Sequence, residues 1–248
     1  MSIALRKQLV KPDTSFGPLR FVEALPWLIL AAALRVIAFR GGLLSIVAIV
    51  CADIAILQAF ILVARRSIEL AHGQTNLGSL GPLEQFRLAR AIFGRTLLLM
   101  IGACAAVAAA GGASYAIISL VGVDGMAFDQ FNTAAKFWSA TVATLVLLMI
   151  VGADANDGEV RFFAAIAEFG RRWVWLCAAI LFLGAVYIGL SFVQGLVRDT
   201  IRMYWQTSSD SQFLKNLVFF VFIFSFAMLR LWITLLILTF GLKQSYKS

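Results

Sequence analysis

Leu43–Ala64 reads LLSIVAIVCADIAILQAFILVA, 22 residues that include a single charge, Asp53, and a single amide, Gln58. At about 1.5 Å per helical residue the run reaches about 33 Å, enough to cross a hydrocarbon core about 30 Å thick. Further apolar blocks lie at Leu25–Phe39, Thr96–Val121, Phe137–Ala153, Trp173–Val197 and Leu217–Phe240. They come as long runs rather than alternating patterns. Of the 248 residues, 61% are hydrophobic and 14% charged, whereas a soluble domain carries about a quarter charged residues. So apolar a chain cannot cover a water-facing surface. The expectation is an all-α, polytopic membrane helix bundle forming a single membrane domain over residues 1–248.

Loop charge sets the topology. With six spans and the N-terminus inside, the cytoplasmic segments hold Arg6, Lys7, Lys11, Arg20, Arg65, Arg66, Arg87, Arg90, Arg95, Arg161, Arg171, Arg172, Lys243 and Lys247. The outer segments hold Arg35, Arg40, Lys136, Arg198, Arg202 and Lys215, with Arg230 inside a span. If Leu25–Phe39 did not cross, the first four would move outside and the bias would vanish, so the positive-inside rule favours crossing. Arg35 is then expected to snorkel toward the outer headgroups, and Gly41-Gly42 to turn the chain between spans. Both termini are placed in the cytoplasm, and Met1–Arg20 has no secretory apolar core. The net charge of +8 serves orientation and anionic lipid rather than nucleic acid.

An internal repeat adds detail. Phe86, Ala89, Ala91 and Phe93-Gly94-Arg95 recur as Phe162, Ala165, Ala167 and Phe169-Gly170-Arg171. An apolar span follows each copy. The spans therefore parse as three hairpins, each preceded by an interfacial stretch. Pro82–Arg95 and Val160–Arg172 read either as short interfacial amphipathic helices or as plain extensions of the following span. In the first case Arg87, Arg90, Arg95, Arg171 and Arg172 meet anionic headgroups.

Ionisable groups at mid-bilayer are where function is sought first. Asp53 and Arg230 both fall near the centres of their spans and are expected to pair. The pair either fixes helix register or forms a proton or cation site gated by Arg230. Gly102–Ser114 is small at nearly every position, and Gly102, Ala106, Ala109, Gly112 and Ala113 are expected to form a helix-packing face. Gln58 and Gln194 suit interhelical hydrogen bonds. Phe219, Phe220, Phe222, Phe224 and Phe226 surround their helix and cannot all face one core. Tyr204 and Trp205 suit the outer interface.

Cys51, Cys104 and Cys177 sit inside apolar blocks without CxxC spacing, as packing residues. His72, the sole histidine, lies in a Gly-rich stretch and has no partner ligands. Asp154–Glu159 reads as a helix-ending turn. No P-loop, HExxH, GxSxG or GxGxxG motif is present. The expectation is a non-enzyme with neither cofactor nor metal.

In layout, with amphipathic segments such as Phe86–Arg95 and Phe162–Arg171 before hairpins, the chain resembles the YciC-type bacterial inner-membrane proteins. It also resembles the membrane domain that precedes some glycerophosphodiester phosphodiesterases. The resemblance implies a bacterial inner (cytoplasmic) membrane location and a helix bundle, and carries no hydrolase activity. The functional expectation is an accessory or scaffolding subunit that packs against lipids or another membrane protein or complex. The alternative is a small proton- or ion-coupled transporter or channel using Asp53 and Arg230.

Overall fold

The computed structural model describes residues 24–38, 43–72, 81–111, 122–130, 132–156 and 158–245. Within them the secondary structure is helical: α1 Leu25–Ala38, α2 Leu43–His72, α3 Pro82–Ala109, α4 Thr133–Ala155, α5 Phe162–Arg171, α6 Trp173–Thr207 and α7 Gln212–Ser245, with a short 3-10 turn at Asp124–Met126. Five helices (α2, α3, α4, α6 and α7) are long and apolar enough to cross a membrane, and α1, with 14 residues, is shorter. The N-terminal segment 1–20, the Gly41-Gly42 turn, Lys247 and the last ten residues of the expected third span, 112–121, lie outside the described residues.

Packing divides the helices into inner and outer ones. α2 and α4 are the inner pair. From Ala52 to Ile61 α2 is buried on nearly every side, as expected of a helix apolar all round. It touches α1, α3, α4 and α7. α4 is buried over 72% of its apolar window, against 22% for α3. α1 lies along α2 through Leu28, Ala31 and Ala32, at helical i, i+3, i+4 spacing. α6 and α7 form an antiparallel pair against this centre. Among the described residues the middle pair, α3 and α4, makes the least contact of the three expected hairpins.

Local chemistry fixes the helix ends. The backbone N–H of Gly81 donates to Glu84 Oε2 at 3.0 Å, and Pro82 opens α3, where its missing N–H costs nothing. α3 therefore starts 14 residues before the expected span at Thr96 and runs through Pro82–Arg95 as one helix. It closes at Gly111, whose φ of +80° favours glycine. Asn132 Oδ1 accepts the N–H of Ala134 at 2.8 Å and starts α4. At its far end Gly158, at φ +88°, donates its N–H to Ala153 O at 2.8 Å, so the stretch expected to be a turn ends a helix. His72 belongs to the last turn of α2 rather than to a loop. The second copy of the repeat behaves differently from the first: α5 is a separate helix, broken from α6 at Arg172. Its exposed Phe163 and Ile166 give it an open apolar face.

Glycine sets two helix contacts. A Cβ built on Gly184 of α6 would lie 2.2 Å from the Phe137 ring of α4, and one on Gly241 of α7 would lie 2.7 Å from Ala179 Cβ of α6. Gly102 of α3 has nothing within 4 Å. Gly184→Ala is therefore expected to lower thermal stability by about 1–3 kcal/mol through overpacking. Gly102→Ala should be neutral or stabilising by up to about 1 kcal/mol from helix propensity. Thermal unfolding of both variants in detergent checks the contrast.

The α6–α7 turn is closed by Asp210, which accepts from Ser208 Oγ at 2.5 Å and from Tyr204 OH at 2.6 Å. Lys215 Nζ donates to the carbonyls of Trp205 and Ser208 at 2.9 and 2.8 Å. The hydroxyls of Ser208 and then Tyr204 hold the Asp210 carboxyl below its ordinary value. A carboxyl depressed in the folded state stabilises above its unfolded value, and loses that contribution as pH falls through the folded one. Protection of the amides of residues 208–211, measured against their intrinsic exchange rates, should fall below about pH 4, and in Asp210→Asn it should be low at every pH.

Candidate functional site, a charge network around an enclosed segment

Residues 122–130 join α3 to α4 without forming a regular helix, yet they are inside the bundle. Val123, Met126, Ala127 and Phe128 are buried in the apolar core. The backbone closes on itself in the 3-10 turn, where Met126 N–H donates to Val123 O at 3.0 Å and Phe128 N–H to Asp124 O at 2.9 Å. The polar side chains of the segment are matched by residues from four helices.

Two groups result. In the first, Asp124 accepts from Arg35 Nη1 of α1 and from Gln130 Nε2 at 3.1 Å. The Arg35 guanidinium also lies 4.6 Å from the Phe128 ring centroid. Asp53 of α2, buried and within electrostatic reach of Asp124 and Arg35, is bonded to neither. In the second, Asp129 accepts from Arg230 Nη1 of α7 at 3.1 Å, and Lys136 Nζ of α4 stands 3.7 Å away. Ser191 Oγ of α6 also reaches Asp129. Lys136 donates to the Gln130 carbonyl.

Arg230, 1% exposed, is the centre of the second group. Its Nε donates to Gly125 O at 2.9 Å. Its guanidinium carbon stands 3.9 Å above the Tyr187 ring, a cation–π contact strengthened by exclusion of water. Thr234 Oγ1 donates to Arg230 O at 2.7 Å and receives the Tyr187 hydroxyl. Arg230 lies in the middle of α7, so its bond to Gly125 sets the depth of the segment. A Cβ on Gly125 would fall 1.9 Å from Ser139 Oγ; only glycine lets the carbonyl come this close to Arg230.

This geometry corrects the expected Asp53–Arg230 pair. Arg230 is taken by Asp129 and Gly125, while Asp53 Oδ1 has no hydrogen-bond partner. Asp129 read as an outer-loop residue, so its charge was not counted at the depth of Arg230. Arg35 is likewise tied to Asp124 rather than snorkelling outward.

The expected packing face of α3 is also corrected. Gly102, Ala106 and Ala109 are exposed; Gly112 and Ala113 lie outside the described residues. α3 meets the bundle through Leu88, Ala89, Ile92, Phe93, Thr96 and Met100. Of the basic set, Arg87, Arg90 and Arg171 are exposed. Arg95 donates to Ala91 O at 2.9 Å. Arg172 bonds Glu168 and donates to Ser245 O at 2.7 Å, which ties the α5–α6 break to the end of α7. Gln58 is buried with Oε1 unpartnered rather than bonded across helices, and of the five phenylalanines only Phe222 is buried. Among the described residues no cluster of three or more His, Cys, Asp or Glu is placed to hold a metal ion.

Sequence reading missed Asp124, Asp129, Gln130, Lys136, Tyr187 and Ser191. A signal was present: Val121–Asn132 (VGVDGMAFDQFN) mixes Val, Met and Phe with two carboxylates, too apolar a composition for a water-facing loop.

Removing one member of a buried pair leaves the other charge uncompensated. Arg230→Gln and Asp129→Asn should each cost about 3–5 kcal/mol. Their double variant should fall short of the sum by about 0.5–3 kcal/mol, while Arg230→Gln with Asp53→Asn should be additive within about 0.5 kcal/mol. Thermal unfolding of the two cycles checks both.

No family model, curated protein or solved structure matches the chain.

Proposed function

We propose that the chain is a non-catalytic membrane component that crosses a bacterial inner membrane six times, with both ends in the cytoplasm, and packs against lipids or other membrane proteins. One observation carries this reading. The intramembrane cations are engaged by the protein's own segment 122–130: Arg35 by Asp124, Arg230 by Asp129 and Gly125 O, and Lys136 by Gln130 O. Groups bound in this way stabilise a bundle and are not open to a passing solute. The apolar surface, by contrast, is open on α3 and on α6, where Leu98, Phe182 and Phe192 are exposed. Short α1 is counted as a span because it packs along α2 and places Arg35 on the same internal segment. Arg87, Arg90 and Arg171, all exposed, suit anionic headgroups on the cytoplasmic side.

A second reading, a proton- or ion-coupled carrier, is favoured by the unpartnered Asp53 Oδ1 and Arg230 Nη2. Native electrophoresis of mildly solubilised membranes, combined with flux assays in liposomes, separates the two. The component reading expects migration well above the mass of one chain and no proton or cation flux beyond that of empty liposomes. A lone chain whose pH-driven flux disappears in Asp53→Asn would contradict it.

A further inference from the structure

We propose that Asp53 is a proton-binding site, its carboxyl held as the neutral acid inside the bundle. The side chain is 5% exposed and its Oδ1 meets no partner. The other two carboxylates of the network differ: Asp124 is joined to Arg35 and Gln130, and Asp129 to Arg230, Lys136 and Ser191. Among the described residues, Asp53 is the network carboxyl with no cation at ion-pair distance.

The surrounding charges favour the same state. α1 brings Arg35, the enclosed segment Asp124 and Asp129, α4 Lys136 and α7 Arg230. α3 carries its ionised groups, Glu84, Arg87, Arg90 and Arg95, in its first half. Among the described residues the cations of α1, α4 and α7 are bound elsewhere: Arg35 by Asp124, and Arg230 and Lys136 by Asp129. An ionised Asp53 would therefore stand as a buried anion without a cation at ion-pair distance, the costliest state for a carboxyl. In the second group Asp129 faces two cations, and the carbonyls of Gly125 and Gln130 take up the surplus positive charge. A metal ion at Asp53 would need several converging oxygens; a proton needs one. The inference goes beyond the membrane-component reading and does not depend on whether protons cross the bilayer.

Infrared absorption of the full chain in liposomes at neutral pH decides the point. The wild type minus Asp53→Asn spectrum should show a protonated-carboxyl C=O band that is lost in the variant. Asp53→Glu should shift that band, and it answers the same question if the asparagine variant does not assemble. If carboxylate stretching bands are lost or shifted instead, Asp53 is ionised and the proposal fails.

Discussion

The bond from Arg230 to the Gly125 carbonyl is the constraint on which the rest of the arrangement depends. Backbone that leaves the helical path inside a membrane bundle exposes polar groups that lipid cannot satisfy, and it survives only where protein encloses it. Residues 122–130 meet this condition in two ways. Their apolar side chains fill the core, and their carbonyls and carboxylates receive donors from α1, α4, α6 and α7. One guanidinium, that of Arg230 stacked on Tyr187, joins α7 and α6 to the segment at once. Arginine suits the position because its planar head offers several donors in different directions while keeping its charge.

The same arrangement explains why α2 and α4 are central. A segment folded back between helices needs walls, and α2 and α4 supply them with largely apolar surfaces, a few small residues and the polar side chains that face the segment. Gly122 and Gly125 allow Trp138, Val142 and Ser139 of α4 to lie against the segment without a gap. α3, tethered to this core by its first half, and the α6–α7 hairpin leave apolar surface that only acyl chains or other apolar helices can cover. Specificity thus lies inside, in charges that fix one packing, while the outside stays suited to a non-aqueous environment. In a buried polar network of this sort, removing one partner costs more than the pair adds over apolar packing, so the charges hold the arrangement together as a set.

Much of this architecture was legible in the sequence. Block length and composition marked α2, α4, α6 and α7, because a long apolar run has few alternatives to a membrane-length helix. Asp53 and Arg230 were legible as buried charges for the same reason. Their partners were not. Pairing depends on which segment lies between two helices, and no periodicity in VGVDGMAFDQFN announces that it folds inward. The two readings open for each amphipathic stretch are divided between the copies: Pro82–Arg95 continues into the following helix, whereas Phe162–Arg171 stands apart from its own at Arg172. Of the glycine-alanine face of α3, Gly102, Ala106 and Ala109 are exposed within the chain, because small side chains permit close approach without themselves choosing the neighbour.

Hydrogen exchange of residues 122–130 in the full chain, reconstituted in lipid nanodiscs and followed by mass spectrometry, tests the enclosure of this segment most directly. Protection comparable to that of the inner helices, lost when Arg230 is replaced by glutamine, is the predicted result. Exchange as rapid as that of a water-exposed loop in the unaltered protein would contradict it.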